Sequence, residues 1–144
     1  MPKLVLDMSA MQDDFFSESA LIGIGTALPA YNLCWMLNNH FDASFARDTE
    51  QTITLEKKKN RFCFPVYSYE IPNTFNKYIL YKLKSGTESL LPETRQLDYL
   101  WMVQTANPEE DALEILAELR QLNDIQLSLI LDPTELKNLN NLLI

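Results

Sequence analysis

Residue types that perform acid–base or nucleophilic chemistry are scarce in this sequence. His40 is the single histidine, and it lies at the polar end of an apolar helical repeat, where a histidine usually contacts carbonyl groups or solvent. General acid–base catalysis and transition-metal binding both need further groups held beside the imidazole. The sequence therefore predicts no catalytic residue, no metal site and no cofactor.

The two cysteines, Cys34 and Cys63, lie 29 positions apart in apolar stretches. They lack the close spacing of a C-x-x-C motif, so the pattern predicts two buried, reduced thiols rather than a disulfide or a metal site. Reduced thiols are typical of the cytoplasm. No apolar run approaches the length of a membrane span, and the first residues lack the pattern of a signal peptide. We therefore expect a cytoplasmic protein without a membrane partner.

The sequence Gly23-Ile24-Gly25 has the spacing that opens a glycine-rich phosphate loop. However, Leu28 stands where the third glycine of G-x-G-x-x-G would be, and the pair lies within a predicted strand rather than after one. The glycines are better interpreted as positions that allow close helix packing or a bulge.

One basic patch is followed by alternating aromatic residues: Lys57-Lys58-Lys59 and Arg61, then Phe62, Phe64, Tyr67 and Tyr69. Single-stranded RNA binders use this combination to contact phosphates and to stack bases. The net charge of -8 nevertheless repels a polyanion or an anionic membrane surface. We interpret the patch as the solvated tip of a hairpin, and nucleic acid is not favoured as a partner.

Carboxylates dominate a later segment, at Glu109, Glu110, Asp111, Glu114 and Glu118. The simplest interpretation is a solvated helix face whose first turn is stabilised by the helix dipole. The alternative is a docking surface for a basic partner, in which charge complementarity would speed association.

The elements that must position these groups follow from the apolar periodicity. Strands are predicted at residues 4–6, 20–28, 52–56, 62–66, 77–84, 97–105 and 125–131. Helices are predicted at 29–41 and 108–122, the second opened by a capping box at Asn107, and a short last helix follows Asp132. The aliphatic ending at 142–144 should dock on the domain. We therefore predict a single α+β domain of residues 1–144. It is a two-layer sandwich with a mostly antiparallel sheet of five or six strands and the two main helices on one face.

The first predicted helix is apolar on more than one side. Its core-facing stripe repeats every four residues, whereas Tyr31, Trp35 and Met36 lie off that stripe. Either the N-terminal segment or a second copy of the chain, in a homodimer, is expected to cover them. A further alternative is a small-ligand pocket between this helix and the sheet, lined by Tyr31, Trp35 and Trp101.

The segment Leu91-Pro92-Glu93-Thr94-Arg95-Gln96-Leu97-Asp98-Tyr99 resembles the signature of the IPExxxVDY family of small bacterial proteins, found mainly in Bacteroidetes. Leucine replaces the family's aliphatic residue at two positions. The stretch from Tyr31 to Asn38 and the ending from Asp132 to Ile144 are similar to the same family. The resemblance implies a bacterial source and a cytoplasmic compartment. It carries over no activity, ligand or catalytic residue.

Within that segment, Asp98 opens an apolar strand. A buried carboxylate there is costly unless hydrogen bonds or a cation such as Arg95 satisfy it, so the segment is interpreted as a structural device that turns the chain into its central strand. In the alternative interpretation, Glu93, Arg95 and Asp98 point outward and bind a partner. The whole sequence favours a non-enzymatic protein-interaction or regulatory module, with a small-ligand-binding domain as the alternative.

Overall fold

A six-stranded antiparallel sheet forms the centre of the protein, for which the computed structural model describes residues 19–142. The strand predicted at residues 4–6 lies outside the described residues. The elements in chain order are β1 (Ser19–Gly25), α1 (Ala30–Phe41), β2 (Ala46–Arg47), β3 (Ile53–Lys57), β4 (Asn60–Phe64), β5 (Val66–Glu70), β6 (Lys77–Lys82), β7 (Lys84–Ser85), β8 (Glu88–Ser89), β9 (Tyr99–Gln104), α2 (Pro108–Leu119) and β10 (Leu127–Leu131). Short 3-10 turns lie at Pro92–Thr94, Pro133–Glu135 and Leu139–Leu142. The order of strands across the sheet is β10-β1-β9-β6-β5-β2.

Strands β1 and β9 lie inside the sheet because their residues are apolar on both faces. They pair antiparallel, with Ile22 opposite Trp101 and Leu21 opposite Met102. Ile22 and Trp101 belong to the core beneath the helices, whereas Leu21 and Met102 belong to a second core on the other face. A strand covered on both faces needs apolar side chains at successive positions. The prediction of two central strands is therefore confirmed, although β9 begins only at Tyr99.

Both helices pack on one face of this sheet. Their buried residues share one core with Ile22, Ile24 and Trp101, namely Leu33, Cys34 and Leu37 of α1 and Ala112, Ile115, Leu116 and Leu119 of α2. Each buried set repeats at three or four residues, which aligns the side chains along one stripe. The predicted α+β sandwich, with its two main helices on one face, is confirmed.

The start of α2 differs from the prediction in its capping. The helix begins at Pro108, as expected, but the Asn107 side chain makes no cap hydrogen bond. Its ψ of 68° departs from the extended conformation that a capping residue usually adopts. Instead, the Thr105 hydroxyl donates to Asp111 Oδ2 at 2.6 Å. The shorter motif at Asp132 does form, because that carboxylate accepts from the Thr134 N–H.

The opposite face of the sheet has cover of its own, which the two-layer prediction omitted. The separate hairpin β3–β4, the leucines that flank the Pro92–Thr94 turn (Leu90, Leu91 and Leu97) and the chain near Leu142 contribute to the second core. Leu142 is fully buried, and the Tyr81 hydroxyl donates to its carbonyl oxygen at 2.7 Å. Docking of the ending is thus confirmed at Leu142, whereas residues 143 and 144 lie outside the described residues.

Strand β5 was missing from the prediction, which continued the second hairpin strand to Val66. Pro65 instead separates β4 from β5, and β5 pairs with β6 and β2 in the main sheet. Proline has no N–H for a strand ladder, so the chain can change sheets at that residue. The short hairpin β7–β8 was also not predicted, and its turn contains Gly86 at a φ of 58°. Glycine adopts that conformation without steric cost.

Candidate functional site

The outward side of α1 carries two large exposed aromatic side chains. Tyr31 is 81% exposed and Trp35 is 64% exposed. Together with Asn32 and Asn39, which are also exposed, they form a surface that we call the α1 outer face. None of these four side chains carries a formal charge. Within the face, the Asn39 amide donates to the Trp35 carbonyl oxygen at 2.7 Å.

Trp101 lies in the core rather than beside Tyr31 and Trp35. It is fully buried, and its ring meets those of Phe41 and Phe45 edge-on, with centroids 5.1 Å away in each case. The reason is strand parity: Trp101 points toward the helices from a central strand, and aromatic rings fill the space above it. Tyr31, Trp35 and Trp101 therefore do not line a common cavity, which corrects that part of the prediction.

Asp98, the residue before β9, links the segment at Thr26 to the segment at Lys84. One carboxylate oxygen accepts from the Thr26 N–H at 2.9 Å, and the other accepts from Lys84 Nζ at 2.8 Å. Thr26 itself is buried, and its hydroxyl donates to the carbonyl oxygen of Asp124 at 2.6 Å. The cation beside Asp98 is therefore Lys84 and not Arg95. These contacts favour the structural interpretation of Asp98, because the carboxylate satisfies a buried backbone donor.

Glu93 contacts the last part of the described chain. Its two carboxylate oxygens accept from the backbone N–H and the side-chain amide of Asn138, at 2.8 and 3.1 Å. Desolvation alone would raise the pKa of Glu93, but hydrogen bonds from its own backbone and from Asn138 and Lys137 hold it below the ordinary value. Arg95 is exposed, and its side chain has no hydrogen bond or ion pair among residues 19–142. Of the three residues of segment 91–99 that were proposed to bind a partner, Arg95 is thus the one whose side chain makes no hydrogen bond or ion pair within the described chain.

Gly23 and Gly25 make room for the same signature segment. A Cβ added at Gly23 would lie 2.4 Å from Leu97 Cδ1, and one at Gly25 would lie 3.1 Å from the Gln96 carbonyl oxygen. In addition, the Asp98 N–H donates to the Ile24 carbonyl oxygen at 2.8 Å. The glycines therefore allow close packing of a turn-containing loop and not of a helix, and the strand register shows no bulge there, which corrects the prediction.

The remaining candidates for chemistry are dispersed. His40 Nε2 lies 2.8 Å from Glu118 Oε2, so the histidine links the end of α1 to α2 instead of capping its own helix. Cys34 is buried, and burial raises the pKa of its thiol to about 11. Cys63 is exposed because Phe62 and Phe64 take the inward positions of β4, so the prediction that both thiols are buried is wrong for Cys63.

Within residues 19–142 there is no group of three or more histidine, cysteine, aspartate or glutamate side chains that could hold a metal ion. In the same part of the chain, no helix has the length and apolar character required to cross a lipid bilayer.

Comparison with known proteins did not extend these observations. A scan against models of protein families found no match, and a search of curated proteins found no similar sequence. The resemblance of residues 91–99 to the IPExxxVDY family therefore stays a prediction, and the function has to be argued from the geometry of the chain itself.

Proposed function

We propose that this protein is a non-enzymatic interaction module of the bacterial cytoplasm, in the IPExxxVDY family, and that it self-associates through the α1 outer face. The observation that supports this proposal is the exposure of Tyr31 and Trp35 on adjacent turns of one helix. Tyrosine and tryptophan are among the residues most enriched at the energetic centres of protein interfaces. Leaving both in water forgoes the stabilisation that burial of aromatic surface provides.

The charge distribution favours a second copy of the chain as the partner. The protein has a net charge of -8, yet α1 contains no aspartate, glutamate, lysine or arginine. Two copies can therefore meet at this face without opposing their carboxylates, which repel each other elsewhere. Asn32 can donate and accept hydrogen bonds through one amide, as a two-fold interface requires of residues near its axis.

Sedimentation velocity of the purified protein and two matched variants tests this proposal. A pair of short helices buries less than a standard interface, so we expect a weak dimer with a dissociation constant on the order of 10 μM. Trp35→Gln should weaken dimerisation by about tenfold or more. Leu113→Gln removes a comparably exposed apolar side chain, 60% exposed on α2, and should leave it unchanged.

Thermal melting of both variants checks that each remains folded. A wild-type protein that is purely monomeric at about 100 μM would overturn self-association, because even a weak interface should be populated there. An equal effect of the two substitutions would also overturn it, since the interface would then not be specific to α1. A heterologous protein recovered by the wild type but not by Trp35→Gln, together with a monomer in sedimentation, would keep the interaction module and reject the second copy as its partner.

A further inference from the structure

On the side of the sheet opposite the helices, a cleft is lined by several basic side chains, although the protein as a whole is acidic. It lies between the end of β3, the β7–β8 hairpin and the turn that precedes Arg95, and its volume is about 520 Å³. Its lining includes Lys57, Lys84, Thr87, Glu88, Ser89 and Arg95. Three of the 12 basic residues of the chain thus line one cleft; Glu88 is the carboxylate in its lining, and Asp98 pairs with Lys84 from outside the lining. We call this site the basic cleft.

The ion pairs in the basic cleft are weak enough to be rearranged by a ligand. Lys57 Nζ lies 3.1 Å from Glu88 Oε2, and Lys84 Nζ lies 2.8 Å from Asp98 Oδ1. The two lysine side chains are 48% and 44% exposed, and ion pairs at that exposure contribute little because water screens them. Arg95 has no partner within residues 19–142. Within that part of the chain, no contact of its guanidinium has to break before it binds an anion.

A buried hydroxyl in the same cleft lacks a hydrogen bond. Ser89 Oγ is inaccessible to solvent and has no partner among the described residues. Unpaired buried hydroxyl groups are rare in native proteins and usually have a functional or solvent explanation. Because the Ser89 side chain lines the cleft, rotation about its Cα–Cβ bond would turn the hydroxyl toward a ligand oxygen, which would supply the missing partner. This second observation is independent of the charges.

From these contacts we propose that the basic cleft binds the phosphate group of a small phosphorylated metabolite, a phosphomonoester. An arginine fork and lysine ammonium groups suit the oxygens and the double negative charge of such a group. The volume lies in the range of small-molecule sites. Glu88 and Asp98 oppose binding, because their carboxylates repel the phosphate and compete for Lys57 and Lys84.

The acidic remainder of the protein decides between a small phosphate and a nucleic acid. At physiological ionic strength charges are screened beyond about 8 Å, so a phosphomonoester senses mainly the cations of the cleft. A polynucleotide would extend over surfaces that contribute to the net charge of -8 and would be repelled there. The cleft is therefore a site for a small ligand rather than for RNA.

Titration followed by protein amide NMR, at a constant ionic strength of about 0.15 M, tests the proposal. The probes are ribose 5-phosphate, inorganic phosphate, ribose and a single-stranded oligouridylate. We expect saturable shifts with the first two probes, confined to the segments around Lys57, Ser89 and Arg95, and none with ribose. A tighter complex with ribose 5-phosphate than with inorganic phosphate identifies a metabolite site. The reverse order would overturn the phosphomonoester and leave a site for free phosphate.

Four variants make this test specific. Arg95→Gln should weaken binding about tenfold, because it removes a charge-assisted contact. Ser89→Ala should weaken binding without lowering the melting temperature, since the hydroxyl has no partner to lose. Glu88→Gln should tighten binding severalfold. Arg120→Gln is the charge-matched control, on an exposed arginine at the end of α2, and should leave binding unchanged.

Three results would overturn the basic cleft as a phosphate site. The first is the absence of saturable shifts with any phosphate probe up to about 50 mM, which is weaker than a specific site allows. The second is an equal loss of binding in Arg95→Gln and Arg120→Gln, which would show non-specific attraction. The third is a preference for oligouridylate, which would assign the cleft to nucleic acid.

Discussion

The two helices share one face of the sheet but present opposite kinds of surface to solvent. Each has 12 residues and buries an apolar stripe in the same core. The exposed side of α2 carries Glu109, Glu110, Glu114 and Glu118. The exposed side of α1 carries Tyr31 and Trp35 and no carboxylate. The difference is informative because solvation alone explains exposed carboxylates, whereas the two adjacent exposed aromatic side chains are the feature on which the proposed self-association rests.

The inner faces of the two helices should be equally important for stability. Leu37 of α1 and Leu119 of α2 are both fully buried. We expect Leu37→Ala and Leu119→Ala each to lower the free energy of unfolding by about 2–5 kcal/mol, within about 1 kcal/mol of each other, because each removes the same buried group. Urea denaturation measures both. A much smaller effect of Leu37→Ala would show that α1 is not packed as α2 is, and would weaken the comparison.

The thiol of Cys34 reports whether the inner face of α1 stays closed. Burial raises its pKa from 9.0 to about 11, so its thiolate fraction near pH 8 should be about 100-fold lower than that of an ordinary thiol. In a thiol-exchange assay without denaturant, the buried Cys34 should therefore react much more slowly than the exposed Cys63. An Ala112→Cys thiol, on the buried side of α2, should be similarly protected.

The same pKa shift has a consequence for stability at high pH. The folded thiol ionises near pH 11 and the unfolded one near 9.0, so the stabilisation is complete below pH 9.0 and is lost as the pH rises toward 11. Replacing Cys34 with alanine should remove this part of the pH dependence.

In the thiol-exchange assay, equal reactivity of Cys34 and Cys63 in the native protein would mean that α1 detaches readily from the sheet.

The segments that lead into α1 and α2 differ in the hydrogen bonds that an aspartate accepts there. The difference should have a smaller but measurable effect on the free energy of unfolding. Asp98 accepts from the buried Thr26 N–H before α1, whereas at the start of α2 the donor to Asp111 among residues 19–142 is the Thr105 hydroxyl. Asp98→Ala should lower the free energy of unfolding by about 1–3 kcal/mol, because it leaves a buried amide unsatisfied. Asp111→Ala should cost about 1 kcal/mol.

Lys84→Gln separates the ion pair of Asp98 from its hydrogen bond to the amide. The pair is partly exposed, so this substitution should cost less than about 1 kcal/mol. Chemical denaturation of the three variants gives the order directly. Unchanged stability of Asp98→Ala would reject the structural role of Asp98 and favour a partner-binding one.

The extent to which the fold could be predicted differs between the centre and the periphery. The central strands β1 and β9 and both helices were recognisable because burial imposes a regular apolar pattern on them. The strand β5 and the hairpin β7–β8 were missed, since their residues are mostly half-buried and have weaker patterns. The cover on the second face comes from segments of mixed polarity, and periodicity does not identify which sheet face such segments approach.

The candidate sites show the same limit at the level of single residues. Asp98 was recognisable as a carboxylate that needs partners, but its cation proved to be Lys84, 14 positions away, rather than the nearby Arg95. Trp35 was recognisable as lying off the buried stripe of α1, whereas Trp101 could be placed in a pocket or in the core with equal ease. The basic cleft joins Lys57, Ser89 and Arg95 from three separate segments, and no local motif connects them.

The sequence by itself determined the α+β class, the buried stripes of both helices and the absence of charge along α1. Each of these properties depends on residues close together in the chain, and the physical rule is local: side chains on one face of a helix or strand recur at a known period. Only the tertiary structure decided which cation pairs with Asp98, that the segment 91–99 packs against Gly23, and that three basic residues line one cleft. Those outcomes depend on strand order and on packing between distant segments, where small differences in free energy select one arrangement among many.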